Sequence, residues 1–342
     1  MYERHFGFLH RPFAMTPDPS FLYRGKIHRE ALAGLMYGVR ELRGLVSLIG
    51  EVGTGKSTLL RALMESLVPS QKTIFLTHTT VNRKQALAMM LSELDLDAEG
   101  DRAELVQRLH RFCLREVQSG NPPPLLIVDE AQNLSCQVLE EIRLLTNLET
   151  VHSKLLQVIL SGQPELEDKI FLPELRQLRQ RIAVRTRLAP LEISETPTYI
   201  EHRLTVAGYS REPLFSSFAL EVIWRASGGI PRIINLICDH SLLNAFGMGR
   251  QSVPDQSVLE SLRDLGLAIR GTSGRHKPEF DGSDADRLGP RSGDTAIEGP
   301  EAKSTPTTDG AAPVQAPERY SAENWKDGMK ARWEAKLLLI AS

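Results

Sequence analysis

Short unbroken apolar runs alternate along the first half of the chain with longer stretches whose apolar residues recur every three to four positions. Leu45-Val46-Ser47-Leu48-Ile49, Leu125-Leu126-Ile127-Val128 and Leu155-Leu156-Gln157-Val158-Ile159-Leu160 read as buried strands. Thr73-Ile74-Phe75-Leu76-Thr77 and Ile182-Ala183-Val184-Arg185-Thr186-Arg187-Leu188 are β-rich. Helical spacing marks 28–40, 58–64, 83–93, 102–117 and 135–149. In the first of these, Ala31, Leu32, Leu35, Met36 and Val39 share a face. Asp101 with Glu104 three residues on predicts a capping box. Strands alternating with helices in this way predict an α/β sandwich on a parallel sheet.

From Glu195 onward only the helical period remains, over 196–207, 215–226, 232–246 and 255–267, with breaks at Gly208 and Gly228-Gly229. This predicts a small all-α second domain. Before the first helix, Phe6, Phe8, Pro12, Phe13, Pro17, Pro19, Phe21 and Tyr23 make a proline- and aromatic-rich lead-in that cannot be a regular helix. It reads as an arm, 1–27, that packs on the following domain or covers a flat ring. The stretch 271–320 is rich in Gly, Pro, Ser, Thr and Asp and reads as a disordered tail. After it, Trp325, Met329, Trp333, Leu337 and Ile340 make an apolar stripe on a candidate amphipathic helix, 321–342.

Composition changes this picture little. The 342 residues carry a formal net charge of −2, which offers no global attraction to nucleic acid or to an anionic membrane. Cys113, Cys136 and Cys238 are far apart and read as reduced thiols of a cytosolic protein. No apolar leader follows Met1, and no run is long enough to span a bilayer.

The chemistry is carried by Gly50-Glu51-Val52-Gly53-Thr54-Gly55-Lys56-Ser57, which matches the phosphate-binding loop of nucleoside triphosphatases and sits between a strand and a helix. Glycines let successive N–H groups face phosphate oxygens, and the helix N-terminus adds its dipole. Lys56 is expected to reach the β- and γ-phosphates and Ser57 to ligate Mg²⁺, with Thr58 completing the nucleotide-binding segment. The run ending at Val128 delivers Asp129-Glu130, an acid for Mg²⁺ and a base for the attacking water. After the fourth strand, Gln163 is the first candidate to position that water and Ser161 the second; a turn amide capping the next helix is the alternative. Among Arg176, Arg179, Arg181, Arg185 and Arg187, Arg181 is singled out as an arginine that reaches a neighbour's site, with Arg179 as fallback. Arg232, in Gly229-Ile230-Pro231-Arg232, is displayed at a helix start where a lid could bring it to the γ-phosphate.

Together these residues resemble the AAA+ ATPases of the general secretion pathway protein A (ExeA-like) family, close to secretion ATPases found with exosortase systems. The resemblance rests on Phe6-Gly7-Phe8, Pro12-Phe13, Thr16 to Tyr23, His28, Glu30, Ala31 and Leu32, and the phosphate loop. It continues through Val128 to Leu134, Leu160 to Leu166, Gln180-Arg181-Ile182 and Gly229 to Asn235, and covers roughly 1–270. It implies a P-loop NTPase αβα core at 28–192 and a helical lid at 193–270. It also implies ATP and Mg²⁺ as ligands, self-association into a ring-like homo-oligomer and hydrolysis between subunits. By resemblance Arg181 is the arginine finger and Arg232 the lid sensor, while Ser161 and Gln163 both remain candidates for the polar switch. A secretion-system or inner-membrane protein is the implied partner, and the cytoplasm, peripheral at the inner membrane, the implied place. Many members continue into a transmembrane helix and a peptidoglycan-binding domain; neither is visible here, which favours a soluble ATPase serving a membrane complex. The competing reading is a DNA-associated AAA+ regulator, similar to transposon-encoded (TniB-like) ATPases.

Overall fold

The computed structural model describes residues 1–269, apart from 78 and 152. The expectations for 271–320 and 321–342 therefore lie outside the described residues.

Five strands form one parallel sheet: β1 (Leu45–Gly50), β2 (Thr73–Leu76), β3 (Leu125–Val128), β4 (Gln157–Gly162) and β5 (Ile182–Leu188), in the order β2-β3-β4-β1-β5. The period-2 alternation of each strand feeds two different cores. Leu126 and Val128 of β3 face one layer with Val158 and Leu160 of β4, while Leu125, Ile127 and Ile159 face the other. The first layer is covered by α4 (Arg83–Ser92), α5 (Arg102–Gln118), α6 (Cys136–Leu145), α7 (Pro164–Ile170) and α8 (Arg176–Arg181). The second is covered by α2 (Lys26–Arg40) and α3 (Lys56–Glu65). The three central strands, β1, β3 and β4, are buried on both faces, as a sandwiched parallel sheet requires.

Local chemistry sets the helix starts. Asp101 and Glu104 form the reciprocal capping box at α5, and Asn82 with Gln85 forms another at α4. The helix expected over 135–149 stops at Leu145. The Thr146 hydroxyl donates to the Arg143 carbonyl at 2.6 Å, and the chain turns so that Glu149 bridges Lys154 and Leu155 N–H reaches Leu148 O.

A third core belongs to α9 (Glu195–Val206), α10 (Ser217–Ser227), α11 (Pro231–Gly247) and α12 (Asp255–Asp264). A short helix, α1 (Tyr2–Phe6), comes first, and from Gly7 to Tyr23 the lead-in is no regular helix, as expected. The arm departs from expectation in its partner. Its aromatics Tyr2, Phe6, Phe8, Phe13 and Phe21 are buried in this helical core rather than on the sheet domain. The physical reason is a buried cation on α9. Arg203 donates through Nε to Pro12 O at 2.6 Å and through Nη2 to Ala14 O at 3.4 Å, and its guanidinium lies over the Phe21 ring. Leu22, the Tyr23 ring against His28, and a bond from Arg61 to the Pro17 carbonyl tie the arm to the sheet domain's second layer. No helix among the described residues is long and apolar enough to cross a membrane.

Candidate active site

Parallel strands bring their carboxyl ends to one edge of the sheet, and the order places β4 between β3 and β1. Register then does the rest. Val128 pairs Leu160 and Leu48 pairs Ser161, so the residue after β3, the end of β4 and the loop after β1 meet.

The loop between β1 and α3 needs its glycines. Gly53 and Gly55 hold φ of 80° and 100°, in the left-handed region that L side chains rarely adopt. A Cβ on Gly53 would stand 2.6 Å from the Arg232 Cβ. Thr54 is buried and its hydroxyl donates to Glu51 O at 2.9 Å. Lys56, 5 % exposed, donates to Gly50 O at 2.8 Å and Glu51 O at 3.1 Å. Burial lowers its pKa, and the carboxylates of Glu130, Asp129, Glu51 and Glu165 oppose that shift.

Asp129 is buried and accepts three bonds: Ser57 Oγ at 2.7 Å, Ser161 Oγ at 2.8 Å and the Glu130 N–H at 3.1 Å. Glu130 follows with φ of 53°, a left-handed turn unusual for a non-glycine residue. Its Oε2 accepts from Gln132 Nε2 at 2.6 Å and Gln163 Nε2 at 3.0 Å. Burial alone would raise the Glu130 pKa. The Gln163 and Gln132 amides and the nearby Lys56 charge outweigh it, so the net shift is downward and the group stays a carboxylate at neutral pH.

The two residues left open from sequence thus take different places. Ser161 bonds the acid Asp129, and Gln163 holds Glu130, making no side-chain cap on α7.

One cavity is lined by Val52 to Thr58, Glu130, Pro231 and Arg232, and by the arm at Ala14 to Asp18 and Phe21 to Tyr23. Arg232 is exposed at the start of α11, and its N–H donates to Gly53 O at 3.1 Å, so helix and loop touch directly. Arg181 lies elsewhere. It ends α8 just before Ile182, which pairs Leu45 at the amino end of β1, the opposite end of the sheet from the loop. It is exposed, and its side chain makes no hydrogen bond or ion pair among the described residues. Within its own chain it cannot meet Lys56. The fallback Arg179 is held over the Phe171 ring, as is Arg185, and Arg187 pairs with Glu167.

Residues missed from sequence also line this cavity: Tyr199, Arg203 and Asn235, hydrogen-bonded in series, together with buried His28. Arg203 and Tyr199 stand four apart on α9, and Asn235 closes the motif that begins at Gly229. The i, i+4 spacing was the available signal; the arm that buries the pair was not deducible from it.

The donor set fits magnesium. A serine hydroxyl and an adjoining carboxylate are hard oxygen donors, and Mg²⁺ takes few protein ligands beside phosphate oxygens and waters. Fold and loop together define a P-loop ATPase of the AAA+ class. Residues 39–170 match the AAA domain family. Over 274 residues the chain is 42% identical to general secretion pathway protein A of Aeromonas hydrophila, an alignment covering 80% of this chain and 50% of that protein. An uncharacterized HTH-type transcriptional regulator of Methanocaldococcus jannaschii is 26% identical over 48% of this chain and 41% of its own length. The chain therefore spans half or less of the length of the curated relatives it matches. Among solved structures, the Aeropyrum pernix ORC2 protein is similar at a TM-score of 0.56 and 17% identity, covering 75% of this chain and 71% of that one. Cdc6p of Pyrobaculum aerophilum is similar at 0.57 and 18%, covering 73% and 71%. The chain is an AAA+ ATPase related to general secretion pathway protein A.

Proposed function

We propose that this chain hydrolyses ATP with Mg²⁺ as an oligomer and assists the assembly or operation of a secretion or cell-envelope export system. The observation that carries the hydrolytic reading is the Ser57–Asp129–Ser161 chain beside Lys56 and an ionised Glu130. Loop N–H groups and Lys56 bind the phosphates. Ser57 and Asp129 would hold Mg²⁺, which when bound neutralises phosphate charge and polarises the γ-phosphate. Glu130, steadied by Gln132 and Gln163, takes the proton of the attacking water on its carboxylate. Arg232 places the lid against the loop, so the lid's angle and the occupancy of the loop are coupled. Arg181, which cannot serve its own site, supplies a cation to the site of a neighbouring copy. The segments 28–192 and 193–270 act as core and lid, on the cytoplasmic side of the inner membrane.

The secretion reading is supported by the 42% identity to general secretion pathway protein A. A second reading, ATP-controlled action on DNA, is favoured by one observation, the weaker similarity to an HTH-type regulator. ATPase rate with and without duplex DNA, at two salt concentrations, separates them. The secretion reading expects no change with DNA. Strong, salt-sensitive stimulation would replace it with the DNA reading.

A further inference from the structure

Asn235 stands on α11 three residues beyond Arg232 and lines the same cavity as Lys56 and Glu130. It is 7 % exposed. Its Oδ1 accepts from the Tyr199 hydroxyl at 2.8 Å, and that hydroxyl accepts from Arg203 Nη1 at 3.3 Å. This relay fixes which way the amide points. A guanidinium only donates, so the Tyr199 oxygen receives and its single proton must pass on. Asn235 therefore turns its carbonyl to Tyr199 and its NH₂ group away from it. Arg203 is itself pinned by the Pro12 and Ala14 carbonyls and the Phe21 ring, so the relay is not free to reverse. The Asn235 NH₂ has no hydrogen-bond partner among the described residues. It is not among the enclosed, unpartnered polar atoms, so it opens into the cavity with two protons available to a bound acceptor.

We propose that the Asn235 amide is a specificity-determining group that donates to a lone-pair acceptor on the nucleoside half of the bound nucleotide, a ribose oxygen or a purine ring nitrogen. The inference rests on the nucleotide reading of the cavity. The phosphate half already has donors in the loop N–H groups, Lys56 and Arg232, the last tied to Gly53. At a rise of about 1.5 Å per residue, Asn235 lies roughly 4.5 Å further along the helix axis than Arg232. The cavity wall there includes Phe21, Leu22, Tyr23 and Pro231, flat or aliphatic surfaces suited to a ring system.

The test uses the full chain with Mg²⁺ and three probes: tripolyphosphate, ribose 5-triphosphate and ATP. The readout is the ratio of Kd for ATP to Kd for tripolyphosphate, in which any general effect on the phosphate site cancels. Asn235→Ala removes the donor without adding charge. Asn235→Asp keeps an oxygen for Tyr199, preserving the relay, and replaces the donor by an acceptor. The ratio is expected to rise about fivefold in the first variant and about tenfold or more in the second. If ribose 5-triphosphate shares the loss, the acceptor is on the sugar; if only ATP does, it is on the base. A ratio unchanged in both variants overturns the proposal. Wild-type protein that binds no ATP overturns the nucleotide reading itself, an outcome distinct from the first.

Discussion

Replacing Glu130 by glutamine removes one negative charge and almost no shape. The bonds show why the site survives. Glu130 Oε2 takes both amide contacts, from Gln132 at 2.6 Å and Gln163 at 3.0 Å. A glutamine carbonyl oxygen can occupy that place and accept both, with its NH₂ where Oε1 stood. These bonds lose their charge assistance and about half their strength, yet they hold the side chain where it was. Lys56 keeps the charge of Asp129 nearby, and Asp129 keeps its bonds from Ser57 and Ser161. Nucleotide binding is therefore expected to persist, since no group assigned to phosphate or magnesium has moved. Turnover is different. An amide cannot accept the water's proton, and a positioned general base is worth about 10²–10⁴ in rate, or roughly 2.7–5.4 kcal/mol of barrier. The assay is phosphate release at saturating Mg-ATP beside direct measurement of the ATP dissociation constant. Wild-type turnover in Glu130→Gln would refute Glu130 as the base. Loss of ATP binding without loss of fold would show that the carboxylate belongs to the binding set instead.

Two further perturbations test the scaffold around the site. Arg203→Ala leaves the Pro12 and Ala14 carbonyls without their donor and uncovers the Phe21 ring, so the arm should detach from the helical core. Hydrogen bonds to a charged group are worth about 1.5–3 kcal/mol. The expected result is a melting temperature lower by several degrees and faster proteolysis within the arm, and an unchanged protease pattern would count against Arg203 as the anchor. His28 supplies a pH dependence: burial lowers its pKa, and its Nδ1 has no hydrogen-bond partner. With the folded pKa below the unfolded one, the unfolded chain binds the proton first. Stability is then full above an unfolded pKa of about 6.5 and is lost as pH falls from there through the folded pKa. Melting between pH 7.5 and 5.5 should show that decline, and His28→Gln should flatten it; an equal slope in both proteins would remove His28 from the account.

Much of this architecture can be read along the chain because it is written locally. The period-2 and unbroken apolar runs place all five strands, and Asp101 with Glu104 sets the start of α5 as expected. Boundaries drift where a distant contact decides them. Leu155 and Leu156 are buried ahead of β4 rather than in it, because the chain first has to turn back from Glu149 to Lys154. The phosphate loop and Asp129-Glu130 are legible because each is a contiguous string whose chemistry depends on backbone shape. The Arg203–Tyr199–Asn235 relay is not, since it joins α9, α11 and an arm far apart in sequence. For the same reason the arm's aromatics announce burial but not their partner: hydrophobic burial is non-directional, and it took a guanidinium on α9 to select the helical core. Gln163 shows a third kind of limit. Its place beside the fourth strand is visible in sequence, but its bond to Glu130 depends on the parallel register between β3 and β4.

The central claim is that hydrolysis requires two copies, one supplying Glu130 and the other Arg181. Register puts Arg181 at the far end of the sheet from its own loop, so the two residues can serve one reaction only across an interface. Glu130→Gln and Arg181→Ala are each expected to be inactive alone. Mixed, they create interfaces in which an intact Glu130 faces an intact Arg181, and ATPase activity should return as the proportion of mixed interfaces rises. A mixture no more active than its two components, under conditions where the wild-type chain self-associates and hydrolyses ATP, would contradict the shared site.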